Sequence, residues 1–156
     1  MFNLLTHISA DAHCDVPCGV YDPTAAKVSA MTVLRMINGI ESLTVPTTPD
    51  AHSWAHYNND LTRRIVVKEE HAMQCKRELW TLWSDYFKPE HLEQYPDLHN
   101  KFWQATKLCS QNKQDVSVEK AKALVQAVDE IAQIFYTTKQ DEARYESYKN
   151  VTDKLF

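Results

Sequence analysis

At 156 residues with a formal charge of -4, the chain is sized for one ordinary domain that buries its own core. Its mild acidity excludes a nucleic-acid binder, and no run approaches the roughly 20 apolar residues of a membrane span. Only two glycines, Gly19 and Gly39, occur, which argues against a turn-rich all-β fold and for long helices.

Residues 1–12 (MFNLLTHISADA) have a short apolar patch but no basic n-region. They read as a small pro-peptide rather than an export signal, and the expected location is the cytoplasm. Residues 13–19 show neither helical nor strand periodicity. From Pro23 to about Leu43, Val28, Met31, Leu34, Ile37 and Ile40 predict a first helix with an apolar stripe of spacing three, with Thr24 as its cap. TVPTTP, residues 44–49, is a linker. A second helix is expected from Asp50 to Phe87, with Ile65, Ala72, Leu79 and Tyr86 on one seam and Leu61, Cys75 and Leu82 beside it. Lys68 interrupts the second seam, which predicts exposure there to solvent or a partner. Lys88-Pro89 stops this helix.

A third helix is expected from Pro89, with Leu98, Phe102, Ala105 and Leu108 as its core face and Pro96 disrupting its first turns. The polar run 110–117 reads as a loop. Ala121, Leu124, Val125, Val128, Ile131, Ala132 and Phe135 define a fourth helix. The tail 140–156 is charged and aromatic, and its pattern leaves helix and frayed coil both open. The expected fold is all-α, an antiparallel up-down four-helix bundle over about 24–139, preceded by an irregular hook. Four cysteines do not make a disulfide scaffold in a chain of this length. Cys75 and Cys109 fall within helices as small buried residues.

Cys14 and Cys18 differ, because they flank a bend next to His13. Two thiolates four residues apart reach one ion only if the backbone curls, and Pro17 and Gly19 permit that. Thiolates beside imidazole select nickel, copper or zinc over magnesium or calcium. If cleavage after Ala12 frees the His13 amine, that amine, the Cys14 amide nitrogen and the two thiolates form a square-planar set, which suits Ni(II) or Cu(II). The His13 imidazole would add an axial ligand to the trivalent ion. Structural zinc is the bland alternative, but it prefers four side-chain ligands and only three are local.

HCDVPCGVYDP, residues 13–23, together with Trp83-Ser84-Asp85-Tyr86-Phe87-Lys88-Pro89, resembles the nickel-containing superoxide dismutases. The resemblance implies disproportionation of superoxide to dioxygen and hydrogen peroxide by Ni(II)/Ni(III) cycling, with one nickel ion per subunit. It implies His13, Cys14 and Cys18 as ligands, Asp15, Tyr21 and Tyr86 at the substrate pocket, Pro17 shaping the hook, and Arg63 supporting the axial histidine. It also implies a maturation peptidase that removes residues 1–12 and a homohexamer of the 13–156 domain, whose hook spans 13–21. Where the family has a glutamate near the start of the first helix, this chain has Ser29, which leaves the axial imidazole without that partner.

The alternative function is a non-catalytic nickel-binding or thiol-redox helical protein. His52 and His56, spaced i, i+4, read first as a solvated or interface pair and second as a surface metal chelate. Trp80 and Trp83 read as core or subunit interface. Superoxide is an anion, so Lys27, Arg63 and Lys88 are candidates for attracting it to an acidic chain.

Overall fold

A computed structural model describes residues 20–156; residues 1–19, with His13, Cys14, Asp15, Pro17 and Cys18, lie outside the described residues. The described chain is all-helical: α1 Thr24–Glu41, α2 Ala51–Thr81, a π-helical turn Leu82–Tyr86, α3 Pro89–Gln94, α4 Leu98–Gln114, α5 Val118–Thr138 and α6 Glu142–Thr152. α1 packs on α2 and α5, and α4 packs on the same two helices, so the four long helices close a ring. Inside it a large apolar cluster that includes Tyr21, Leu79, Phe102 and Phe135 is distinct from a small one of Val33, Ile37, Ala72 and Ala121.

The buried apolar face of α1 is Ala26, Ala30, Met31, Val33 and Ile37, so of the predicted stripe only Met31 and Ile37 are buried, with Leu34 half-buried against the same cluster. Five residues at a constant spacing of three precess through about 240° of a helix with about 3.6 residues per turn, so no single face holds them. Val28 is accordingly exposed, and alanines occupy the seam instead. The α1 cap also differs. Thr24 is the first helical residue, and its amide donates to the Asp22 carboxylate at 2.9 Å.

In α2 the core face is confined to the second half, Ala72, Cys75 and Leu79, continued by Leu82. Lys68 is buried rather than open to a partner. Its ammonium donates to the carbonyls of Lys113 (3.0 Å) and Asp115 (2.9 Å). A cation there answers the orphaned carbonyls and negative end of α4, while burial pushes the amine below its ordinary pKa. The run 110–117 is helical as far as Gln114. Asn112 is buried, with its amide donating to the Leu108 and Lys120 carbonyls at 2.9 and 3.1 Å. The loop expected over 110–117 is therefore confined to residues 115–117, where Asp115 and Val116 are exposed.

α4 and α5 follow their predicted faces, with Leu98, Phe102, Ala105 and Cys109 against Leu124, Val128, Ile131 and Phe135. Cys75 and Cys109 are both fully buried, and their thiols hydrogen-bond across α2 and α4. Pro96 does separate α3 from α4, as expected of the residues before a proline.

The tail forms α6. α5 ends in a Schellman arrangement: the Gln140 amide donates to the Thr137 carbonyl (3.0 Å) and the Asp141 amide to that of Tyr136 (3.1 Å). Gln140 occupies the left-handed position usually taken by glycine, at φ 56°. α6 then lies back along α1. Tyr148 and Thr152 are buried, Asp153 meets Lys27 at 3.3 Å, and Phe156 lies under the Arg35 guanidinium at 5.4 Å.

Candidate functional site

The site is built where the chain enters α1 and where α2 ends. Tyr21, 9% exposed, is carried into the core by the turn that Pro23 and Asp22 form ahead of α1. Its ring lies 5.8 Å from that of Tyr86. Tyr86 closes the π-helical turn, in which the Phe87 amide reaches back five residues to the Leu82 carbonyl at 3.2 Å. The extra residue per turn re-aims the end of α2. Tyr86 therefore packs on Phe135 (4.4 Å), Phe87 (4.9 Å) and the His91 ring (5.7 Å, near-parallel).

The Tyr86 hydroxyl is 2.7 Å from Thr138 Oγ1. Thr138 spends its single proton on the Phe135 carbonyl at 2.7 Å, so Tyr86 is the donor of the pair. Burial raises the Tyr86 phenol above its ordinary pKa, so it stays protonated at neutral pH. Lys139 caps the arrangement, with its ammonium 5.5 Å above the Tyr86 ring and 4.8 Å above Phe135.

Asp22, next to Tyr21, is gripped from two sides. Its carboxylate accepts from the Tyr136 hydroxyl (3.0 Å) and from Arg144 of α6 (2.9 Å). Burial works against the charge, yet the Thr24 hydroxyl and amide, Tyr136 and Arg144 hold the carboxyl below its usual range. Burial, reinforced by Asp22, pushes Tyr136 up to about 12. The root of the N-terminal segment is thereby fixed to α5 and α6.

Of the predicted site residues, Tyr21 and Tyr86 are brought together, while His13, Cys14, Asp15, Pro17 and Cys18 fall outside the described residues. Arg63 lies 18 residues before the end of α2, about 27 Å along the helix, so one chain does not bring it to the tyrosine pair. Ser29 is buried and donates to the Ala25 carbonyl at 2.8 Å, so its hydroxyl is occupied within α1. Lys27 is not a steering cation: it is 1% exposed and bound to Asp129 at 2.6 Å. Sequence reasoning missed Lys139, Thr138 and His91. The Thr-Lys pair at the α5 terminus, one turn beyond the apolar face, is the signal that would have found two of them.

An all-helical scaffold thus holds two tyrosines in tilted contact, with a cation over one of them, at the root of a segment whose sequence carries two cysteines and a histidine. The family model for nickel-containing superoxide dismutase matches residues 8–139. The nickel superoxide dismutase of Streptomyces seoulensis is 35% identical over 136 residues, covering 85% of this chain and 92% of that protein. That of Streptomyces coelicolor is 34% identical over 133 residues with the same coverages. A native nickel superoxide dismutase structure superposes with a TM-score of 0.69 at 34% identity, covering 82% of this chain and 99% of the other. This chain belongs to the nickel-containing superoxide dismutase family. Its α6 lies beyond the matched span.

Proposed function

We propose that the protein is a nickel superoxide dismutase that converts two superoxide ions and two protons to dioxygen and hydrogen peroxide. The observation that carries this reading is the single family match over residues 8–139, which spans both the thiol and imidazole segment and the Tyr21–Tyr86 pair. The donor chemistry fits nickel: His13, Cys14 and Cys18 would hold it through nitrogen and soft sulfur, a donor set suited to Ni(II). When bound, the ion supplies reversible one-electron transfer.

The chain's own residues provide the rest. Tyr86 presents a phenol kept protonated by burial. Tyr21 and Tyr86 narrow the approach, and the reading assigns Asp15 to the same pocket and Pro17 to shaping the hook. The Lys139 ammonium, above the Tyr86 ring, places positive charge where an anion must arrive. Arg63 would support His13 only if a neighbouring subunit carried it there, because in its own chain it lies far along α2 from the tyrosine pair. That fits a homohexamer, as do the exposed indoles of Trp80, Trp83 and Trp103.

The reading includes an up-down four-helix bundle over about 24–139, a 13–156 mature domain, a pro-peptide of residues 1–12 removed by a peptidase, and a cytoplasmic site of action. Among the described residues no helix is long and apolar enough to cross a membrane. A non-catalytic nickel carrier would need neither the tyrosine pair nor the cation above it.

The test is processing. Chains beginning at His13 should bind one nickel and dismute superoxide, whereas chains verified by mass spectrometry to retain Met1 should be inactive. Cys14→Ser and Cys18→Ser should abolish activity while leaving helical circular dichroism intact. Full activity in the uncleaved chain refutes the proposal.

A further inference from the structure

The described chain contains five histidines, and three of them have a ring nitrogen engaged. His71 Nδ1 meets the Val67 carbonyl at 2.9 Å, His91 Nδ1 accepts from the Lys88 amide at 3.1 Å, and His99 Nδ1 accepts from the Trp83 indole at 2.7 Å. His52 and His56, both exposed, have no hydrogen-bond partner among the described residues; each meets only the other's ring. They stand one turn apart on α2, with centroids 4.4 Å apart and planes at 70°.

That separation has a chemical meaning. An imidazole ligand puts its nitrogen about 2.0–2.1 Å from a borderline metal ion and its centroid about 3.2 Å away, so two such rings at a right angle lie about 4.5 Å apart. The pair already has that centroid spacing, and rotation of the two exposed rings out of their edge-to-face contact would turn a nitrogen of each toward one ion. The rings open into a groove of about 690 Å³ lined also by Leu43, Thr44, Tyr57 and Arg63, which leaves room for water in the other coordination positions. Asp60, one turn further on, is held by Arg64 at 3.0 Å and does not complete a protein cage. The positive end of α2 is balanced by its cap, Asp50, whose carboxyl is held down to about 2 by the Thr48 hydroxyl and the Ser53 amide.

We infer that His52 and His56 form a second metal site: a two-imidazole chelate that takes one divalent first-row ion, with Ni(II) and Cu(II) as the natural occupants, in the groove whose Arg63 the proposed hexamer would turn toward a neighbouring subunit. The inference takes from the proposed function that nickel reaches this protein. With two protein ligands and open positions, such an ion is held for transfer or storage rather than for redox work.

Equilibrium dialysis of the metal-stripped full chain against Ni(II) tests it, alongside His52→Gln, His56→Gln and the Cys14→Ser/Cys18→Ser variant. The cysteine variant should still bind one equivalent per chain, and nickel should broaden the ring-proton NMR signals of both histidines. Either histidine substitution in that background should remove the equivalent, because chelation needs both rings. Retention of the equivalent by the histidine variants, or no binding by the cysteine variant, overturns the inference. Dismutase activity of the cysteine variant would instead overturn the proposed function, so the two failures are distinguishable.

Discussion

Replacing Lys27 with methionine removes one ammonium from the most enclosed ion cluster in the described chain and keeps most of its aliphatic stem. The ammonium bonds both carboxylate oxygens of Asp129 (2.7 and 2.6 Å) and approaches Asp153 at 3.3 Å. Breaking a fully buried pair costs about 3–5 kcal/mol, and a fully exposed pair is worth about 0–1 kcal/mol. Here the lysine is 1% exposed, Asp129 22% and Asp153 44%. Water therefore reaches part of the orphaned charge, and Tyr148 still donates to Asp129 at 2.8 Å. The expected loss is about 2–3 kcal/mol, between the two limits. With a urea dependence of about 2 kcal/mol/M, the unfolding midpoint falls by about 1–1.5 M at fixed protein concentration. Asp129→Asn in the Lys27→Met background should recover at least about 1 kcal/mol relative to additivity, because it removes the unpaired charge and keeps an acceptor for Tyr148. A Lys27→Met midpoint within about 0.25 M of the parent, or strict additivity in the double variant, refutes the reasoning.

Gln140→Gly should stabilise the protein by about 1 kcal/mol in the same assay, because glycine occupies the left-handed C′ position without the penalty of a side chain. Lys139→Gln should leave nickel content unchanged, lower kcat/KM for superoxide several-fold and flatten its dependence on ionic strength; an unchanged salt profile removes Lys139 from substrate approach. The folded-state pKa of Asp22 lies below its ordinary value of 3.8, as does that of Asp153, where burial is outweighed by Lys149 and Lys27. Their contribution is therefore present above about pH 4 and lost as pH falls through the lowered values. Amide exchange across α6 should rise at acid pH beyond its intrinsic dependence, and Asp22→Asn should reproduce the rise at pH 7.

The helices with large apolar side chains at true helical spacing were legible in the sequence, as α4 and α5 illustrate. What misled were charged and polar residues. Lys68 and Lys27 read as surface cations because their charge was visible and their partners, 45 and 102 positions away, were not. Asn112 read as loop because nothing local reveals that two carbonyls await its amide. Tyr86 fell on the seven-residue seam of α2 correctly in number, but the π turn that aims it depends on what α5 packs against it. The candidate ligands were legible by chemistry and motif alone. The cation above the tyrosines was not, since its place depends on where α5 stops.

α6 is fastened at its middle by buried Tyr148, which packs on Tyr136 and donates to Asp129, and at its two ends to Asp22 through Arg144 and to Lys27 through Asp153. Erosion of the carboxyl terminus therefore has a threshold. Loss of Lys154 to Phe156 forfeits the Phe156 contact with Arg35 and the Leu155 amide's bond to Thr152, but one residue more takes the carboxylate that helps hold Lys27. A molecule nibbled past that point keeps the whole family domain yet loosens at its entrance, so wear at one terminus is reported at the other.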